Sequence, residues 1–153
     1  KKTFFAEVTT PTIRGNMKIV VINKGTKNGL KEGMPVVNKL GLVGQIFSTY
    51  EKTSEVIPLL SKKFAVNALQ NNGKNHVIIY GNIEFLEIPY FPASIQISIG
   101  DIFVTSGLDK VYPSGIKIGE VVEISPEDKQ FNKIKLKPST SSNQFSLVTV
   151  IDY

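Results

Sequence analysis

The chain has 153 residues, 41% of them hydrophobic and 20% charged, with a formal net charge of +5 at pH 7. That length suits one ordinary domain or two barrels of about 70 residues each, and the hydrophobic fraction excludes a disordered chain. Cysteine is absent and His76 is the single histidine, which excludes disulfides, thiolate nucleophiles, Cys-ligated metals and a multi-histidine metal site.

The basic excess is lysine, with Arg14 the one arginine, so guanidinium forks for phosphate are not available in number. No apolar run approaches the roughly 18 residues of a membrane helix, so the piece is expected to be soluble. It opens on Lys1-Lys2-Thr3 with no signal peptide and no Met, as a portion of something longer would.

In chain order, Met17 to Asn23 is a short apolar strand ended by Lys24-Gly25. Met34 to Val37 and Leu42 to Ser48 flank Asn38-Lys39-Leu40-Gly41 and predict a hairpin. The stretch from Lys52 to Lys63 is the best place for a turn of helix, kept short by Pro58. Phe64 to Leu69 and His76 to Tyr80 are two arms joined by Asn71-Asn72-Gly73-Lys74, a turn whose Asn and Gly accept positive φ. Further strands are expected at Ile83 to Ile88, Asp101 to Thr105, Ile116 to Ile124, Phe131 to Lys137 and Phe145 to Asp152. No segment sustains a 3.6-residue apolar period. The fold class expected is all-β: two small antiparallel β-barrels packed side by side, with little helix. The first barrel is expected over residues 1–82 and the second over 83–153.

The chain resembles itself. Leu30-Lys31-Glu32-Gly33-Met34-Pro35-Val36-Val37 matches Ile97-Ser98-Ile99-Gly100-Asp101-Ile102-Phe103-Val104, and Val43-Gly44-Gln45-Ile46 matches Ile118-Gly119-Glu120-Val121. Each copy reads as a hairpin that starts at a glycine turn and carries a glycine within its second strand, the mark of a bulge or a close backbone approach.

Val104-Thr105-Ser106-Gly107-Leu108, Val111-Tyr112-Pro113-Ser114-Gly115-Ile116 and Ile118-Gly119-Glu120-Val121 together resemble the extracytoplasmic two-barrel region of the bacterial rod-shape-determining MreC family. So do Lys24-Gly25, Asn28-Gly29-Leu30, Gly33-Met34-Pro35-Val36-Val37 and Gly41-Leu42-Val43-Gly44, with Ala6-Glu7-Val8 where that family places its first strand. The resemblance implies a non-catalytic scaffold of the cell-wall elongation machinery, which maintains rod shape by binding and regulating the elongation-specific penicillin-binding protein. It also implies MreD and MreB in the wider complex and a homodimer through an upstream coiled coil. An upstream anchor would hold this portion at the extracytoplasmic face of the cytoplasmic membrane. Tyr112 and Ser114 in the long loop, and the richness in Lys and Asn, depart from the commoner pattern.

On the residues themselves, catalysis is the first rival. A chymotrypsin-like hydrolase would use His76, Asp101 or Asp109, and Ser114 or Ser106, but no double glycine follows either serine to shape an oxyanion hole. Paired carboxylates are the second: Glu84 with Glu87, and Glu120 with Glu123, point to opposite strand faces, and Glu127-Asp128 is a turn pair. The alternation Lys133, Lys135, Lys137 predicts one basic strand face, which would suit an anionic polymer or simply guard an edge. An OB-type nucleic-acid module would use Phe47 or Tyr80 as stacking platforms, against which the single arginine argues. No metal, cofactor or nucleic acid is expected. The candidate partner-binding residues are Tyr90 and Phe91, in a Pro89-Tyr90-Phe91-Pro92 segment that its prolines keep out of regular pairing, and Tyr112 in the second long loop.

Overall fold

The computed structural model describes residues 2–9, 12–15, 17–140 and 146–153. Its strands are β1 (Lys2–Glu7), β2 (Thr12–Arg14), β3 (Met17–Ile22), β4 (Pro35–Asn38), β5 (Gly41–Thr49), β6 (Ser54–Pro58), β7 (Ala65–Gln70), β8 (His76–Gly81), β9 (Leu86–Pro92), β10 (Ile102–Thr105), β11 (Lys117–Pro126), β12 (Phe131–Pro138) and β13 (Leu147–Asp152). The helix among the described residues is one 3-10 turn, Thr26–Asn28. The alternation that predicts strands is the alternation that builds the interior: on β7, Val66, Ala68 and Gln70 turn inward while Ala65 is exposed.

The strands form two bodies. One is an open seven-stranded sheet in the order β1-β13-β4-β5-β6-β3-β2, and the other a closed barrel in the order β10-β11-β12-β9-β8-β7, with antiparallel neighbours throughout. The all-β expectation holds, although only one body closes. The sheets do not follow a division at residues 82 and 83. β7 and β8 belong to the barrel, and β13 returns to the seven-stranded sheet.

The self-resemblance of the sequence is a resemblance of backbones. Gly33 and Gly100 share a positive φ (92° and 94°), and each donates to the second strand of its hairpin, to Ile46 O at 2.9 Å and Val121 O at 2.8 Å. In the first hairpin Val36 faces Gly44 and Val37 faces Leu42, leaving Val43 as the extra residue of a bulge. In the second, Phe103 faces Gly119 and Val104 faces Lys117, leaving Ile118 extra. Both extra residues are buried. Each interior glycine lies against the next strand, where a Cβ on Gly44 would stand 2.0 Å from Ile57 O and one on Gly119 2.5 Å from Lys137 O.

The correspondence extends across both bodies. β6 flanks β5 as β12 flanks β11, with Pro58 opposite Gly44 and Pro138 opposite Gly119. β3 flanks β6 as β9 flanks β12. β13 flanks β4 as β7 flanks β10, and β1 flanks β13 as β8 flanks β7. The duplicated unit is therefore six strands, β1 with β3–β7 in the first copy and β8–β13 in the second. Each copy gives its last strand to the other copy's body.

Three local expectations change. Ser54–Pro58 is strand β6, not a helical turn, because it fills the place between β5 and β3, burying Val56 and Ser54, whose Oγ donates to Lys24 O at 2.8 Å. β9 begins at Leu86, with Ile83 in a left-handed turn (φ 68°) that donates to Leu60 O at 2.7 Å. β13 begins at Leu147; the expected start at Phe145 lies outside the described residues.

Two apolar clusters hold the fold. One fills the sheet with Val20, Ile22, Leu30, Val36, Val43, Val56 and Val150 among its members. The other fills the barrel, around Phe91, Phe103, Ile118 and Ile134, and takes in Leu42, Ile57 and Leu59 from the first body. The barrel core thus extends into the junction, where Thr140 Oγ1 also donates to Leu42 O at 3.0 Å.

Candidate functional site

The Pro89–Pro92 segment is inside β9, not outside it. Phe91 pairs with Asn132 and Pro92 with Phe131, while Pro89 and Tyr90 together oppose Lys133 as a bulge. Tyr90 accommodates the extra residue with a left-handed φ of 56°, a conformation that costs a bulky residue energy. It is held there by its N–H, which donates to Glu127 Oε1 at 3.1 Å, and by an edge-to-face contact with Phe131 at 5.9 Å.

The bulge divides the two rings. Tyr90 is 63% exposed and Phe91 1%, so Tyr90 stands on the outer wall and Phe91 is a core residue of the barrel. Tyr112 is also core, at 3% exposure. Burial, and secondarily the negative charge of Asp109, pushes its phenol above the ordinary tyrosine range. Of the three candidate residues, Tyr90 alone presents a ring to solvent.

The long loop is built to hold shape. Gly107 and Gly115 take positive φ (77° and 90°) at its ends. Thr105, fully buried, donates from its hydroxyl to Pro113 O and accepts from Ile116 N at 2.9 Å. Asp109 accepts from Val111 N, Tyr112 N and Asn67 Nδ2 at 3.0, 3.3 and 3.2 Å.

His76 and Ser106 line one cleft of about 300 Å³ on the barrel wall, with Asn67, Ala68, Val77, Ile78 and Leu108. The carboxylates that a triad would need are engaged elsewhere. Asp101 Oδ2 accepts from Ser98 N at 2.8 Å and Gln70 Nε2 at 3.0 Å, and Asp109 holds the loop. Ser106 Oγ accepts from Leu108 N at 3.3 Å, and Ser114 packs beside Gly107. The geometry assembles no nucleophile, base and orienting acid from these residues.

Two lysines of β12, Lys133 and Lys135, lie in ion pairs. Lys133 Nζ lies 3.2 Å from Glu87 and Lys135 Nζ 3.5 Å from Glu123, with Lys135 also over the Phe85 ring at 4.5 Å; Lys137 faces Glu120 across the ladder. Those glutamates take the charge that an anionic polymer would have to meet. Glu127 and Asp128 shape the β11–β12 turn, Asp128 Oδ1 accepting from Gln130 N and Phe131 N. Phe47 packs on the barrel core while Tyr80 is exposed on β8, so the proposed stacking aromatics lie in different sheets.

What sequence reasoning missed is the apolar surface of β8 and the cleft beside it. Ile78 and Leu108 are exposed apolar side chains lining the cleft, and Tyr80 is an exposed ring farther along β8, opposite Glu87. The run His76-Val77-Ile78-Ile79-Tyr80, apolar at both alternations, is the signal that could have found it.

These features are those of a shaped surface on a rigid duplicated frame. The family model described as "Rod shape-determining protein MreC, barrel core" matches residues 8–152. The chain belongs to the MreC family. It is 33% identical over 136 residues to the cell shape-determining protein MreC of Haemophilus influenzae, covering 87% of this chain and 39% of that protein. The chain therefore spans about two fifths of that relative's length. Its fold superposes on the crystal structure of MreC from Pseudomonas aeruginosa with a TM-score of 0.91 at 25% identity, over 99% of this chain and 100% of that one. It also matches a structure of a complex between penicillin-binding protein PBP2 and MreC from Helicobacter pylori, with a TM-score of 0.76 at 19% identity, over 99% of this chain and all of the matched chain, a likeness of fold alone. No helix among the described residues is long and apolar enough to cross a membrane.

Proposed function

We propose that this chain is a non-catalytic scaffold of the cell-wall elongation machinery, and that it works by binding and regulating the elongation-specific penicillin-binding protein. The observation that carries the reading is the MreC barrel core matched from residue 8 to residue 152. It is supported by the fold shared with an MreC that forms a complex with PBP2 in Helicobacter pylori. The residues that order the long loop and the β9 bulge act as struts, which suits a preformed docking surface.

In this reading the body stands at the extracytoplasmic face of the cytoplasmic membrane, carried by an upstream anchor and a dimerising coiled coil, with MreD and MreB in the wider complex. Tyr90 is the aromatic anchor of the partner surface: rigid, exposed, and set by a strained backbone on the wall of a closed barrel.

The test is titration of the soluble transpeptidase portion of the elongation-specific penicillin-binding protein onto this chain. The expected result is saturable binding that Tyr90→Ser weakens about tenfold or more with the melting temperature nearly unchanged. No binding by the unaltered chain would overturn the partner, whereas unaltered binding by Tyr90→Ser would move the surface elsewhere.

A further inference from the structure

The exchange of last strands has a mechanical consequence. The sheet is built from β1–β6 of the first copy, but β4 finds its outer neighbour only in β13 of the second, through Val36–Val150 and Val37–Thr149. The barrel is built from β8–β12 of the second copy, but the gap between β10 and β8 is closed by β7 of the first. Val150 and Ala68, on the two exchanged strands, are both fully buried in the bodies that receive them.

Withdrawing β13 removes the ladder between β4 and β1, and withdrawing β7 opens the barrel into a five-stranded sheet with β10 and β8 as free edges. Withdrawal of β13 also pulls on the 139–140 segment, where Ser139 N donates to Ile118 O at 2.9 Å and Thr140 is bonded to Leu42 O. On the other side, Leu59 N donates to Val43 O at 3.1 Å at the equivalent place, just before the chain crosses into β7.

We propose that the two bodies are one cooperative unit: neither opens without the other, because each is completed by a strand that the other copy supplies. Bodies merely strung together would open at separate free energies. Here a load or a partner on one wall is resisted by both bodies, whichever partner that is. The only covalent link between the copies is the exposed Asn71–Lys74 turn, so the assembly does not depend on that link being intact.

The test is peptide-resolved hydrogen exchange on the full chain. The slowest amides of β5 and β11 are expected to open at one common urea midpoint. Val150→Ala, which truncates a side chain in the sheet alone, is expected to accelerate both sets by the same factor, about tenfold or more. Acceleration confined to the sheet, or two separate midpoints in the unaltered protein, would overturn the proposal. Should Val150→Ala not fold, the urea series on the unaltered chain decides the matter alone. A protease site placed in the 71–74 turn gives a second reading: after cutting, the halves should co-elute as one particle and separate only in denaturant, and separation in buffer would also overturn it.

Discussion

The seven-stranded sheet and the barrel have the same glycine turns, the same bulges and the same strand neighbours, yet one stays open and the other closes. The difference lies in one connection. In the barrel, residues 82–85 join β8 directly to β9, and Tyr80 and Gly81 pair with Glu87 and Leu86 to shut the seam. In the sheet, the equivalent connection carries β2, which folds back on β3 and occupies the edge that β1 would need. The chain just past β1 then meets β3 in a single bridge, Val8 with Ile22. Closure of a six-strand unit is thus decided by the length of one connection, while the rest of the frame is common.

The largest effect should come from the shared frame. Gly44→Ala and Gly119→Ala each place a Cβ against a carbonyl of the neighbouring strand, at 2.0 and 2.5 Å, where only backbone movement makes room. Each should cost about 3–5 kcal/mol in denaturant titration, with Gly44→Ala the worse. A loss below about 1 kcal/mol at either site would break the equivalence of the two bodies. Phe91→Ala should cost a similar ~3–5 kcal/mol as a core truncation, against ~0.5 kcal/mol for Tyr90→Ala one residue before it.

A smaller effect separates the two hairpin connections. Thr105 and Asn38 occupy corresponding places, one residue past the bulge pairs Val104–Lys117 and Val37–Leu42. Asn38 Oδ1 ties a two-residue turn, accepting from Leu40 N at 2.8 Å and Gly41 N at 3.2 Å, partly in solvent. Thr105 ties the long loop from a fully buried position. Thr105→Val strands the Ile116 N–H and the Pro113 carbonyl and should cost about 2–3 kcal/mol; Asn38→Ala, where water can replace the side chain, should cost about 1 kcal/mol or less.

That contrast also marks what a reader of the sequence can and cannot see. Glycine spacing exposed the duplication because a positive φ and a close strand approach each demand glycine, so Gly33, Gly44, Gly100 and Gly119 are visible as letters. The strand exchange was not visible, because partner choice lies in pairing between strands distant in sequence, β7 with β10 and β13 with β4. The helical turn expected across Lys52 to Lys63 failed for the same reason: Ser54–Pro58 is polar at its start and is made a strand by its neighbours. At the candidate site, Tyr90 and Phe91 are indistinguishable as letters. The bulge at Pro89–Tyr90 separates them, and a bulge is a property of two strands, not one.

An alkaline response is expected from the barrel. Tyr112 is a core phenol whose pKa is raised by burial and by Asp109. Between its unfolded value near ~10 and its higher folded value, the unfolded chain gives up a proton that the folded chain keeps. Stability contributed by the neutral phenol is therefore complete below about pH 10 and falls above it, by up to ~1.4 kcal/mol per pH unit. In urea titrations from pH 9 to 11, Tyr112→Phe should lose that part of the slope. An unchanged slope would place the alkaline sensitivity outside the barrel loop.

The smallest effect concerns the outer faces. Glu87 and Lys133 form a partly exposed ion pair on β9 and β12, where the corresponding sheet positions, Val21 and Thr53, are uncharged. A double-mutant cycle with Glu87→Gln and Lys133→Gln should give a coupling of about 0.2–1 kcal/mol, and raising the salt concentration should diminish it. Such a value is too small for the pair to be what closes the barrel. Its effect is on partners: with Lys133 and Lys135 each beside a glutamate, the net positive charge of the chain has no focus on this wall. A coupling well above that range would instead mean that the charged wall, and not the short 82–85 connection, separates the closed body from the open one.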